Sequence, residues 1–107
     1  MITDAEIEES LHYLLETAEL AAHARADRAY IEEYRKSLKA QIMSENAGLP
    51  VNAQERNAYA DPRYLAHLDA LKTAVFEDER LRFLMEAARI KIDAWRTVQA
   101  SERAARL

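Results

Sequence analysis

The sequence predicts an all-α fold: a long antiparallel two-helix hairpin with a short connecting helix, assembled into an oligomeric bundle. Three observations carry that expectation. The 107 residues include one Gly and two Pro, with 50% apolar and 32% charged residues, the balance of a helical protein rather than a sheet. Two stretches of roughly forty residues run without a helix breaker. Leu, Ile, Val, Tyr and Phe recur along both at helical spacing, which argues against disorder.

The first helix begins at Thr3-Asp4-Ala5-Glu6, a capping box in which Thr3 caps and Glu6 returns to the Thr3 backbone N–H. Nothing breaks it before Ala47, and Gly48 stands where a left-handed C-terminal residue is expected. Ile7, Leu11, Leu14, Ala18, Ala22 and Ala29 form one stripe at about 100° per residue. Tyr30, Ile31, Tyr34, Leu38 and Ile42 lie on nearly the opposite side. With no Pro or Gly near residues 26–30, the expectation is a straight helix serving two partners along its length rather than a kink.

Residues 48–60 form the connection. Gly48-Leu49-Pro50-Val51 is expected to be extended, and Asn52 to cap a short helix reaching about Tyr59. Asp61 then caps the second long helix, with Pro62 at its first position, where the missing N–H is harmless. This helix, about 62–104, would be on the order of 60 Å long. Tyr64, Leu65, Leu68, Leu71, Val75 and Phe76 share one broad face. Leu81, Leu84, Met85, Ala88, Ile92 and Trp95 form a second, and Phe83, Ala87, Ile90 and Ala94 a third.

By length the chain is a single domain, 1–107. Folded back, residues 7–29 would lie beside roughly 80–100, and 30–47 beside 62–78. Two helices share one narrow seam, which leaves apolar faces over. A homo-oligomer built through Leu81, Phe83, Leu84, Met85, Ile92 and Trp95 is the economical expectation.

Charge and chemistry narrow the function. Net charge is −4, with nine acids against two arginines in residues 1–34 and a mildly basic remainder. Without cysteine there is neither a disulfide framework nor a thiolate ligand. No apolar run reaches membrane length, so no membrane partner is expected and the default location is the cytoplasm. No Walker loop, glycine-rich cradle or Ser–His–Asp order is present, and the expectation is a non-enzyme with no cofactor. Glu9 and His12 have the Glu-x-x-His spacing of carboxylate metal bundles, but the second helix offers no matching pair, so no metal ligand is assigned and a metal-binding bundle using these two is a distant third alternative.

The most suggestive polar cluster is Tyr30, Tyr34, Arg35, Lys36 and Lys39, joined through the hairpin by Arg56 and Arg63. Cations that neutralise phosphates, interleaved with rings that stack on bases, are what single-strand binders use. On the plainer reading the tyrosines pack in the core or an interface and Lys36 pairs with Glu32. Asp78–Arg82 and Arg89–Asp93–Arg96 are expected surface pairs. The acidic arm has a rival meaning: Glu8, Glu9 and Glu16 would mimic DNA's charge toward a basic host protein.

At Tyr59-Ala60-Asp61-Pro62-Arg63-Tyr64-Leu65-Ala66-His67-Leu68, then Glu79-Arg80-Leu81-Arg82-Phe83-Leu84-Met85 and Ile92-Asp93-Ala94-Trp95-Arg96, the chain resembles short, mostly uncharacterised helical proteins of tailed phages and prophages. The resemblance spans roughly residues 20–104. It implies an accessory of DNA recombination or replication that binds single-stranded DNA or a recombination partner, acting in the host cytoplasm. Its alternative is a modulator or inhibitor of a host nuclease or defence protein. It supplies no catalytic residue.

Overall fold

Both long helices hide side chains at intervals that alternate three and four residues, and this 3.5-residue repeat organises the fold. The computed structural model describes all 107 residues and contains three helices and no strand: α1 (Asp4–Glu45), α2 (Val51–Ala60) and α3 (Pro62–Ala105). No helix is long and apolar enough to cross a membrane.

The ends of these helices follow local chemistry. At the start of α1, the Thr3 N–H donates to Glu6 Oε2 at 2.8 Å and the Glu6 N–H to Thr3 Oγ1 at 3.2 Å, the capping box the sequence announces. At α3, the Arg63 N–H donates to Asp61 Oδ1 at 2.8 Å, so Asp61 caps and Pro62 opens the helix.

The α1–α2 junction departs from expectation. Gly48 does not adopt a left-handed conformation, since no residue has positive φ. α2 starts at Val51 with Pro50 as its cap residue, which puts Asn52 inside the helix rather than at its cap. Side-chain amides satisfy the carbonyls here instead. Asn46 Nδ2 donates to Ile42 O at 2.9 Å, and Gln54 Nε2 to Leu49 O at 2.8 Å.

α1 and α3 pack on each other, and their contacts cluster into two compact units. Unit 2 comprises residues 24–78. Its core is Leu38, Ile42, Ala58 and Tyr64 with Met43 against them; Ile42 is 1% exposed and Ala58 0%. Ala58 brings α2 close because its side chain is a single methyl. α1 and α3 run antiparallel here, as Arg28 meets Asp78, Tyr34 meets His67 and Glu45 meets Arg63.

Unit 1 comprises residues 1–23 and 79–107. Ile7, Ser10, Thr17 and Leu81 are buried. The α1 side of this seam alternates Ile7 and Leu14 with the smaller Ser10, Thr17 and Ala21, while α3 offers Leu81, Met85, Ile92 and Trp95.

The covered positions correct the expected face switch in α1. They are Ile7, Ser10, Leu14, Thr17, Ala21, Ala24, Arg28, Ile31, Leu38 and Ile42, a three-four series interrupted only by exposed Arg35. α3 covers Tyr64, His67, Leu71, Ala74, Asp78, Leu81, Met85, Ala88, Ile92, Trp95 and Gln99 in the same series. Polar members of the seam (Ser10, Thr17, Arg28, His67, Asp78) hide its period from an apolar-residue count. α1 passes residues 26–30 as uninterrupted helix.

Candidate interaction surface

Of the aromatic and basic residues singled out in unit 2, Tyr30 and Tyr34 meet each other, and most of the cations have acidic partners of their own. Tyr30 and Tyr34 stack one turn apart, with ring centroids 6.2 Å apart and planes 14° from parallel. Tyr34 also lies 5.9 Å from the His67 ring, whereas Tyr30 is 70% exposed. Lys36 Nζ donates to Glu33 Oε2 at 3.0 Å, not to Glu32, which accepts from Arg28 instead.

Lys39 Nζ donates to Tyr59 Oη and Glu55 Oε1, both at 2.9 Å, and sits 4.8 Å from the Tyr59 ring centroid. The Tyr59 hydroxyl first, then the Glu55 carboxylate, raises the Lys39 ammonium pKa to about 12. Arg63 bridges the carboxylates of Asp61 and Glu45. The Arg63 side chain, then its backbone N–H, holds the Asp61 carboxyl below its ordinary 3.8, and Arg63 itself is pushed upward by the same contacts. Arg35 and Arg56 remain exposed without an ion pair in the chain. Of the five cations, two guanidinium groups are open and three are engaged by carboxylates.

His67 behaves unlike a surface histidine. It occupies a buried seam position, and its Nε2 has no hydrogen-bond partner. An orphaned buried polar atom costs about 1–3 kcal/mol.

In unit 1 the six apolar interface candidates separate. Leu81 is buried and Met85, Ile92 and Trp95 are half-buried, all at seam positions, and Trp95 Nε1–H donates to Asp4 Oδ1 at 3.3 Å. Phe83 and Leu84 stay exposed, 59% in the case of Phe83. Ile90 joins Phe83 on the far side of α3 at 61% exposure. Arg82 lies 4.7 Å from the Phe83 ring centroid while donating to Glu79, so one ring face carries a cation. On α1, Leu11, Leu15 and Leu20 are also exposed.

The acidic arm is a solvated face. Glu8, Glu9 and Glu16 are exposed, and His12 Nε2 contacts Glu16 Oε1 at 2.9 Å rather than pairing with Glu9. His23 and Glu19 are 3.9 Å apart. No group of three or more His, Asp or Glu side chains converges on a point that could hold a metal ion. Of the expected surface pairs, Asp78 is taken by Arg28 and Arg82 by Glu79, while Arg96 and Asp93 lie 3.9 Å apart.

No protein-family model, no curated protein and no solved structure matches this chain. In unit 1, Leu11, Leu15 and Leu20 are exposed on α1, and Phe83, Ala87, Ile90 and Ala94 share one open stripe of α3. Its four-three-four spacing is visible in the sequence. The spacing sets these four residues on a face of their own, yet the expected oligomer interface mixed Phe83 with Leu81, Met85, Ile92 and Trp95, which lie on the covered seam.

Proposed function

We propose that the protein is a non-enzymatic accessory that works by helix-to-helix docking, presenting the α3 stripe to a protein partner. One observation carries this reading. α3 has a covered seam facing α1 and a second, open stripe with the same alternation of three- and four-residue steps. An apolar stripe at coiled-coil spacing is built to receive another helix. An exposed line of Phe, Ile and Ala side chains has no use in water.

The test is capture by the immobilised chain, comparing wild type with a Phe83→Glu/Ile90→Glu variant whose helicity is checked by circular dichroism. Loss of a specific, stoichiometric partner on breaking the stripe supports docking. Equal capture by a folded variant overturns it.

A second reading, a recombination or replication accessory contacting single-stranded DNA, is favoured by the stacked Tyr30–Tyr34 pair beside the unpaired Arg35. It fits the phage resemblance, and stacking on such rings tolerates any base. Three engaged cations count against strong phosphate binding. Fluorescence anisotropy with a labelled oligonucleotide at low salt tests it: binding lost on Arg35→Glu and Tyr30→Ala supports it, and no binding ends it.

A further inference from the structure

We infer that the occupant of the α3 stripe is a second copy of this chain, docked parallel and in register. This rests on the docking reading above and adds the partner and its orientation. The stripe of Phe83, Ala87, Ile90 and Ala94 is centred roughly 155° around the helix from the covered seam, so α1 leaves it open.

Charge decides the orientation. Glu86 flanks the stripe on one side and Lys91 on the other. Five residues apart on one helix, they are too far round to meet each other, and neither has an ion pair within the chain. In a parallel in-register pair, a flanking residue faces the opposite flank of its partner about five positions further on. Glu86 of each copy then faces Lys91 of the other, and two-fold symmetry makes the pair twice. An antiparallel pair would instead set the flank carrying Glu86 against itself, where its other acids, Glu79 and Asp93, already have Arg82 and Arg96 beside them and offer Glu86 no cation. The parallel arrangement is isologous, so it closes at two copies.

The experiment uses the full chain. It has no cysteine, so a single Thr97→Cys, one step along the stripe, gives a unique attachment point. Sedimentation should give twice the 12.3 kDa chain mass. A short bis-maleimide should join Cys-bearing copies at residue 97, which an antiparallel pair would hold apart. Phe83→Glu/Ile90→Glu should abolish both signals while helicity persists. Lys91→Glu should weaken association about tenfold, from two attractive contacts turned repulsive, and adding Glu86→Lys should restore it. A folded monomer at high concentration overturns the inference, as does a dimer that fails to cross-link at 97 or ignores the charge exchange. A monomer that still captures a different protein through the stripe overturns self-association alone and leaves the docking reading standing.

Discussion

Replacing Arg28 and Asp78, singly and together, tests whether this ion pair sits in a desolvated part of the seam. Arg28 Nη1 donates to Asp78 Oδ2 at 3.2 Å between two covered positions, and Arg28 Nε donates to Glu32 Oε1 at 3.0 Å. The Arg28 and Asp78 side chains are 29% and 16% exposed. Arg28→Met strands the more deeply covered carboxylate and should cost about 2–3 kcal/mol, below the usual loss for breaking a fully buried pair because some water reaches it. At 107 residues this lowers Tm by roughly 10 °C. Asp78→Leu keeps the Arg28 contact with Glu32, so about 1 kcal/mol is lost. The double replacement puts two apolar side chains in an apolar seam and should return to within about 1 kcal/mol of wild type, or exceed it. Thermal and urea unfolding followed by circular dichroism at fixed protein concentration reads all three, fixed because association shifts Tm. The coupling should be about 3 kcal/mol. Arg28→Met costing under about 0.5 kcal/mol, or a double variant as unstable as the sum of the singles, would refute the assignment of this pair to a desolvated seam.

Ile42→Ala should cost about 2–4 kcal/mol in unfolding, while Leu11→Ala on the exposed side of α1 stays within about 0.5 kcal/mol. Thr3→Ala should cost about 1 kcal/mol and increase amide exchange in the first turn of α1, because it removes one half of the capping box. The Lys39 contacts with Tyr59 and Glu55 raise its pKa from 10.5 to about 12. Their stabilisation is complete below the unfolded value and lost as pH rises through the folded one, so Lys39→Met should remove that alkaline loss from the stability profile. Asp61 has the opposite sign. Its contribution is complete above 3.8 and lost as pH falls through its lower folded value, and Asp61→Asn should flatten the acid limb.

Where α1 and α3 begin was legible because capping is local: Thr3 with Glu6 and Asp61 with Pro62 need no tertiary partner to do their work, whereas α2 starts at Val51 without the expected Asn52 cap. Where α1 ends was less so. Gly48 suggested a left-handed stop, yet amides of Asn46 and Gln54 take the carbonyls, and Gln54 belongs to the next helix. Such a bond depends on how the chain returns, which composition does not encode. The seam was misread for a related reason. Counting apolar residues on α1 selects Leu11, Ala18 and Ala22, which are exposed, and passes over Ser10 and Thr17, which are buried. A seam selects for the size and spacing that its opposite face demands.

α3 has hydrophobic surface to spare. α1 supplies a single narrow seam, which covers one stripe of α3. The apolar residues on the opposite side of α3 keep the same heptad spacing, with Arg82 and Glu79 crowding only one face of Phe83. If the stripe existed merely to strengthen helix propensity, its positions could hold Lys or Glu at little cost in helicity. Phe is a poorer helix former than either, so helix propensity does not account for Phe83 or for Ile90 seven residues on.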